Sequence, residues 1–231
     1  MKKTLLMAAL AAAVVGGALG CGGKGGADKA AVVPDTDTTF TDARDGKTYR
    51  KVEIGGQVWM AQNLNFAAEG SRCYKDGDEY CAKYGRLYNW ETALKACPAG
   101  FHLPSDDEWT TLVDYAGGEK TAGTKLKTST GWEENCLIKI TCEKSEPVGT
   151  DEYGFSALAG GVGGFNGGFY NIGVNGVWWC ATEYDSTYAL YRFMGYYSES
   201  VYSNNEGVDR DYDIKPLLFS VRCIQNKEGE Q

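Results

Sequence analysis

Between Asn89 and Tyr115 apolar residues recur at helical spacing, break, and then resume it. Trp90, Ala93, Leu94 and Cys97 stand at i, i+3, i+4 and i+7, which predicts a helix that Asn89 caps, Pro98 ends and whose buried face carries Cys97. Pro98-Ala99-Gly100 leaves room for only a short strand at Phe101–Leu103. Ser105 with Glu108 three residues on is a capping box for a second helix, with Trp109, Leu112, Val113 and Ala116 on its buried side and Gly117-Gly118 as its stop.

Outside this stretch the period is two. TYRKVEI and QVWMAQNL flank Gly55-Gly56 and predict a β-hairpin, with Arg50, Val52 and Ile54 alternating against Tyr49, Lys51 and Glu53. From Tyr153 the chain turns to glycine and aromatics, GFSALAGGVGGFNGGFYNIGVNG, which reads as a long loop ahead of the strand VWWCATEY. On that strand Trp178 and Trp179 face opposite sides, so at most one is exposed. YALYRFMGYYSESVYSNNE and LLFSVRCIQ give three further strands. Ala189, Tyr191 and Phe193 alternate with Leu190, Arg192 and Met194, so one side packs and the other meets solvent or a ligand. Two helices with mostly antiparallel strands make the fold class α+β.

The N-terminus changes the cellular picture. Lys2-Lys3, the apolar LLMAALAAAVV and small residues up to Cys21 form a secretory signal peptide over residues 1–20, too short an apolar run for a membrane span. GALGC resembles a bacterial lipobox, which makes Cys21 the lipid-attachment residue and the membrane a partner through that lipid. Gly22 is not a retention aspartate, which favours the outer membrane or cell surface. Residues 21–39 then read as a lipidated flexible tether, 40–226 as one folded domain and 227–231 as a polar tail. Loss of Lys2 and Lys3 takes the net charge from −8 to −10, which argues against nucleic acid as a partner. Eight cysteines, seven after Cys21, suit an oxidising compartment. Cys73 and Cys81 bracket a polar loop with an Asp-Gly turn and are placed for a local disulfide; Cys136 and Cys142 suggest another. Asp76, Asp78 and Glu79 cluster in the first loop but lack the oxygen spacing of a calcium loop, so neither metal nor cofactor is expected.

The pieces DGKTYRKVEIGGQVWMAQNL, CAKYGRLYNWETALKACPAGFHLPSDDEW, GFSAL, WWCATEY and FSVRC resemble, in this order, the Fibrobacter succinogenes major paralogous domain, over Phe40 to Ile224. More distantly they are similar to the C-type-lectin fold shared with formylglycine-generating, sulfatase-modifying enzymes. The resemblance implies a disulfide-stapled lectin-like layout in which Cys97 pairs with Cys223. It also implies that Cys180 stands where relatives usually place serine.

Little of the chain reads as catalytic. A nucleophilic Cys180 would want a base, and the single histidine, His102, lies in the short strand FHL, where a structural role is favoured. Glu146-Pro147-Val148 lacks the amide of a calcium-lectin triplet, and GGVGGFNGG lacks the Lys-Ser/Thr ending of a phosphate loop. No catalytic residue is assigned. Aromatics remain, and Phe165, Asn166, Phe169, Tyr170, Tyr196, Tyr197 and Tyr202 are the candidate ligand-binding residues, since flat rings stack on sugars or anchor protein partners. The function expected is non-catalytic recognition of a glycan or a surface protein by an exported lipoprotein. The rivals are a sulfatase-modifying-type enzyme using a reactive cysteine and a structural envelope component.

Overall fold

Strand β1 (Thr39–Thr41) pairs antiparallel with β2 (Thr48–Ile54), which turns at Gly55-Gly56 into β3 (Gln57–Met60). Both turn glycines have positive φ, 61° and 75°, where a β-carbon is disfavoured. A 3-10 turn at Tyr74–Asp76 leads into α1 (Asp78–Tyr84), then β4 (Leu87–Tyr88), α2 (Trp90–Ala96), β5 (Phe101–His102), α3 (Asp106–Tyr115) and α4 (Ala122–Leu126). The second half is β6 (Val162–Gly163), β7 (Phe169–Tyr170), β8 (Asn175–Glu183), β9 (Tyr188–Gly195), β10 (Asp209–Ile214), β11 (Phe219–Ser220) and β12 (Ile224–Gln225). This computed structural model describes residues 38–132, 149–195 and 206–227, all within one compact unit from Thr36 to Gln231. Cys21, the pair Cys136 and Cys142, and Tyr196, Tyr197 and Tyr202 lie outside the described residues.

The architecture is α+β. One sheet has the order β1-β2-β3-β12-β5 and is antiparallel throughout. The second, β10-β9-β8-β11-β4, is antiparallel except for the β8–β11 pair. Helix α3 packs on one face of β8 and α2 also contacts that strand. Trp178 belongs to the core cluster with Trp109 and Leu112 of α3, and Trp179 to the cluster with Trp90 and Ala93 of α2. Both tryptophans are therefore fully buried.

Among the described residues four α-helices form where periodicity predicts two. α1 occupies the stretch read as a polar loop, because Tyr74, Cys81 and Tyr84 are buried there while Asp78 and Glu79 sit in the first turn, where the helix dipole favours negative charge. α4 is five residues long, too short to show a period, yet buries Ala122 and Leu126. The stripe of α2 also differs from expectation: Leu94 is exposed and Ala96 takes its place beside Trp90 and Ala93. The helix ends at Ala96, and Cys97 follows in extended conformation, half-buried. Helices α2 and α3 are capped as their sequences dictate, by Asn89 accepting from the Thr92 N–H and by a complete Ser105–Glu108 capping box. On β2 the two-residue period does not separate one wet face from one dry face. Tyr49 joins the α2-side core and Ile54 the α3-side core, so the strand lies between both.

Among the described residues two disulfides staple the fold, Cys73–Cys81 within the α1 region and Cys97–Cys223 between the end of α2 and the chain just before β12. One interior polar cluster centres on Asn63, while, among the described residues, Trp109 Nε1 and the Nε and Nη1 of Arg192 are buried without a hydrogen-bond partner. Asn63 Oδ1 accepts from Trp178 Nε1 at 2.8 Å and from Arg222 Nη2 at 2.7 Å, while its Nδ2 donates to the Tyr84 carbonyl. Arg222 also donates to the Phe155 carbonyl and lies over the Phe155 ring. Burial lowers its pKa to about 9.

Candidate functional site

Four of the seven candidate ligand residues fall on the β6–β7 hairpin. Val162 pairs with Tyr170 and Gly163 with Phe169, and two hydrogen bonds between Gly163 and Leu218 tie the hairpin to the body. The tip closes through Gly164 N–H to the Gly168 carbonyl at 2.8 Å and Gly167 N–H to the Gly164 carbonyl at 3.0 Å. A β-carbon on Gly168 would meet the Tyr170 hydroxyl, so a side chain there would displace that ring from its present position.

Each of the four has a distinct place. Phe165 stands at the tip, 76% exposed, and Tyr170 beside it is 46% exposed. Asn166 braces the turn, accepting from the Gly168 N–H at 3.0 Å and donating through Nδ2 to the Tyr170 hydroxyl at 3.0 Å. Phe169 is half-buried: its ring lies 5.3 Å from Tyr74, with the Arg72 guanidinium 4.7 Å away over its face. Arg72 is held by Asp76. The result is a pair of exposed rings on a backbone-braced hairpin, anchored below by an aromatic and a cation.

Two further surfaces were not visible in the sequence. Tyr184 and Tyr212 stack face to face, centroids 4.1 Å apart and planes within 5°, both exposed, with Tyr188 edge-on to Tyr212. They come from the residue after β8 and from the middle of β10, and only the register of three strands brings them together. A cleft of about 260 Å³ opens between the start of β2, the segment after β3 and α1, lined by Gln62, Asn65, Lys83, Tyr84 and Leu158 among others.

The two residues weighed for chemistry differ in setting, Cys180 enclosed and His102 partly exposed. Cys180 is fully buried. Burial pushes its thiol up to about 12, against the opposing pull of Arg192. Its neighbours form a charge cluster in which Asp106 accepts from Arg192 Nη2 at 2.7 Å and from Arg210 Nε at 2.8 Å. His102 bridges elements instead of facing a nucleophile: Nδ1 lies 2.7 Å from Asn226 Oδ1 and Nε2 2.9 Å from Glu108 Oε1. Glu108 is drawn two ways. Burial raises its pKa, but the His102 hydrogen bond and those from Ser105 outweigh it and leave it lowered. Among the described residues no group of three or more His, Cys, Asp and Glu side chains is placed to hold a metal ion.

One family model, described as the Fibrobacter succinogenes major domain, matches residues 52–225. No curated protein and no solved structure matches the chain.

Proposed function

The chain belongs to the Fibrobacter succinogenes major domain family, and from that premise we propose that it is the non-catalytic recognition domain of an exported lipoprotein, with a C-type-lectin-like layout and a glycan or surface protein as its partner. The reading places Cys21 in the membrane through its lipid, at the outer membrane or cell surface, with residues 21–39 as the tether. The observation that carries it is the exposed pair Phe165 and Tyr170 on a braced hairpin. A phenylalanine three-quarters exposed loses apolar contact with nothing gained in stability, whereas a rigid ring presented to solvent loses little entropy when a partner covers it. The inert surroundings of Cys180 give an enzymatic reading through that thiol no support.

The test is a glycan array together with a pull-down from envelope extracts, using the folded chain. A ligand found by either should bind the Phe165→Ala and Tyr170→Ala variants more weakly by about 2 kcal/mol or more, roughly 30-fold, as for buried aromatic anchors at interfaces. Blank results in both assays at high protein concentration would sink the proposal. An envelope defect on deletion of the chain, with both assays empty, would favour the structural component instead.

A further inference from the structure

The cleft beside α1 has a lining unlike the chain as a whole. The protein carries a net charge of −8, yet the cleft holds two lysines, Lys47 and Lys83, and no carboxylate. Lys47 is committed to Asp45 at 2.6 Å. Lys83 makes no ion pair among the described residues, and its ammonium rests 4.7 Å from the centre of the Tyr84 ring. Two amides share the cleft. Gln62 uses Oε1 to accept from the Arg50 N–H at 2.7 Å, and its Nε2 has no partner among the described residues. The half-buried Asn65 side chain has none either, its backbone N–H alone being held, by the Tyr49 hydroxyl at 3.1 Å. Tyr84 and Leu158 supply apolar surface.

The walls are fixed. Gly85 has φ of 77°, and a β-carbon there would lie 2.8 Å from Asn63 Cβ and from the Leu64 carbonyl. Cys81, bonded to Cys73, lines the cleft and pins α1 from the other side. A fixed cleft offering amides for hydroxyls, a ring and a leucine for a sugar's C–H face and one unpaired cation matches a small ligand with all three features. Its volume, about 260 Å³, lies just under the roughly 300–1,000 Å³ typical of drug-sized ligands, so the occupant is about one sugar ring.

We infer that this cleft is a binding site for a single carboxylated sugar residue of the uronic-acid class, with Lys83 taking the carboxylate and Gln62 and Asn65 the ring hydroxyls. It stands apart from the Phe165–Tyr170 hairpin and does not rest on that surface being a binding site.

The experiment is an NMR titration of the folded chain with methyl glucuronide, methyl glucoside and acetate. The uronide should bind with a Kd on the order of 1 mM, the glucoside about tenfold more weakly and acetate not measurably, since neither the charge nor the hydroxyls suffice alone. Lys83→Gln should reduce the uronide to the glucoside's affinity, and Asn65→Ala should weaken both. Raising salt should weaken the uronide only. Phe165→Ala should leave all three titrations unchanged, which separates this site from the hairpin. Uronide binding no tighter than glucoside binding, no binding at all, or binding indifferent to both Lys83→Gln and Asn65→Ala overturns the inference. Lys83 is exposed and Asn65 half-buried, and neither side chain makes a hydrogen bond or ion pair among the described residues, so their variants keep the fold, and an unchanged thermal midpoint verifies it.

Discussion

Arg192 shows how little one strand discloses about a residue's fate. Alternation correctly groups it with Leu190 and Met194, and a charge in that position suggests a wet face. In the fold it is fully buried, because Asp106 at the start of α3 supplies the counter-charge and Thr110 a further acceptor at 2.7 Å. The partner lies 86 positions earlier in the chain, and no local period can announce it. Asp106→Ala would strand the guanidinium in the core, and the expected cost is about 3–5 kcal/mol, the usual penalty for breaking a buried pair. Asp107→Ala, next along the helix and exposed, should change stability by no more than about 0.5 kcal/mol. Urea unfolding of the two variants makes the comparison, and equal losses would refute the role assigned to Asp106. Cys180 belongs to the same neighbourhood. A thiol at this depth is a small apolar filler.

At the scale of elements, the parts that carry their own caps were legible and the others were not. The capping box of α3 follows from Ser105 and Glu108 alone. α1 was hidden because its stability comes from a disulfide and two buried tyrosines, which composition presents as a polar turn. Besides capping, Glu108 reaches His102 of β5 and so joins helix to sheet, a link that no local spacing shows. Ser105→Ala should cost about 1 kcal/mol, the ordinary worth of an N-cap. The Glu108 contribution depends on pH. Its folded pKa is lowered from 4.5, so the protein is stabilised by its ionised form above that value and loses the benefit as pH falls through the lower, folded value. The stability difference between the wild type and Glu108→Gln, from urea melts, should therefore be present above pH 4.5 and shrink as pH falls below it. A difference that grows on acidification would contradict the assignment.

Over the whole molecule, the α+β class came through while the full set of elements and the joining of the two sheets did not. Six apolar runs specify strands, but β11 and β12 are two residues each and serve different sheets on either side of Cys223. The hairpin on which Phe165 and Tyr170 stand was equally hidden, since β6 and β7 are too short for alternation and the glycines read as loop. Holding the late strands against the early helices is where the long disulfide acts. Cys97–Cys223 spans 126 positions and Cys73–Cys81 only 8. In the loop-entropy account the first restrains the unfolded chain by about 5 kcal/mol and the second by about 2.5 kcal/mol. Replacing each pair by alanine separates the two contributions, because Cys73, Cys81 and Cys223 are all buried and Cys97 half-buried, making the packing losses similar. The Cys97→Ala, Cys223→Ala double variant should unfold at a markedly lower urea concentration than the Cys73→Ala, Cys81→Ala one, with a steeper slope as its unfolded state, freed of the long cross-link, exposes more surface. A short-loop variant as unstable as the long-loop one would mean that the α1 bridge acts on the folded state, by holding that helix against Tyr74, and not through the unfolded chain.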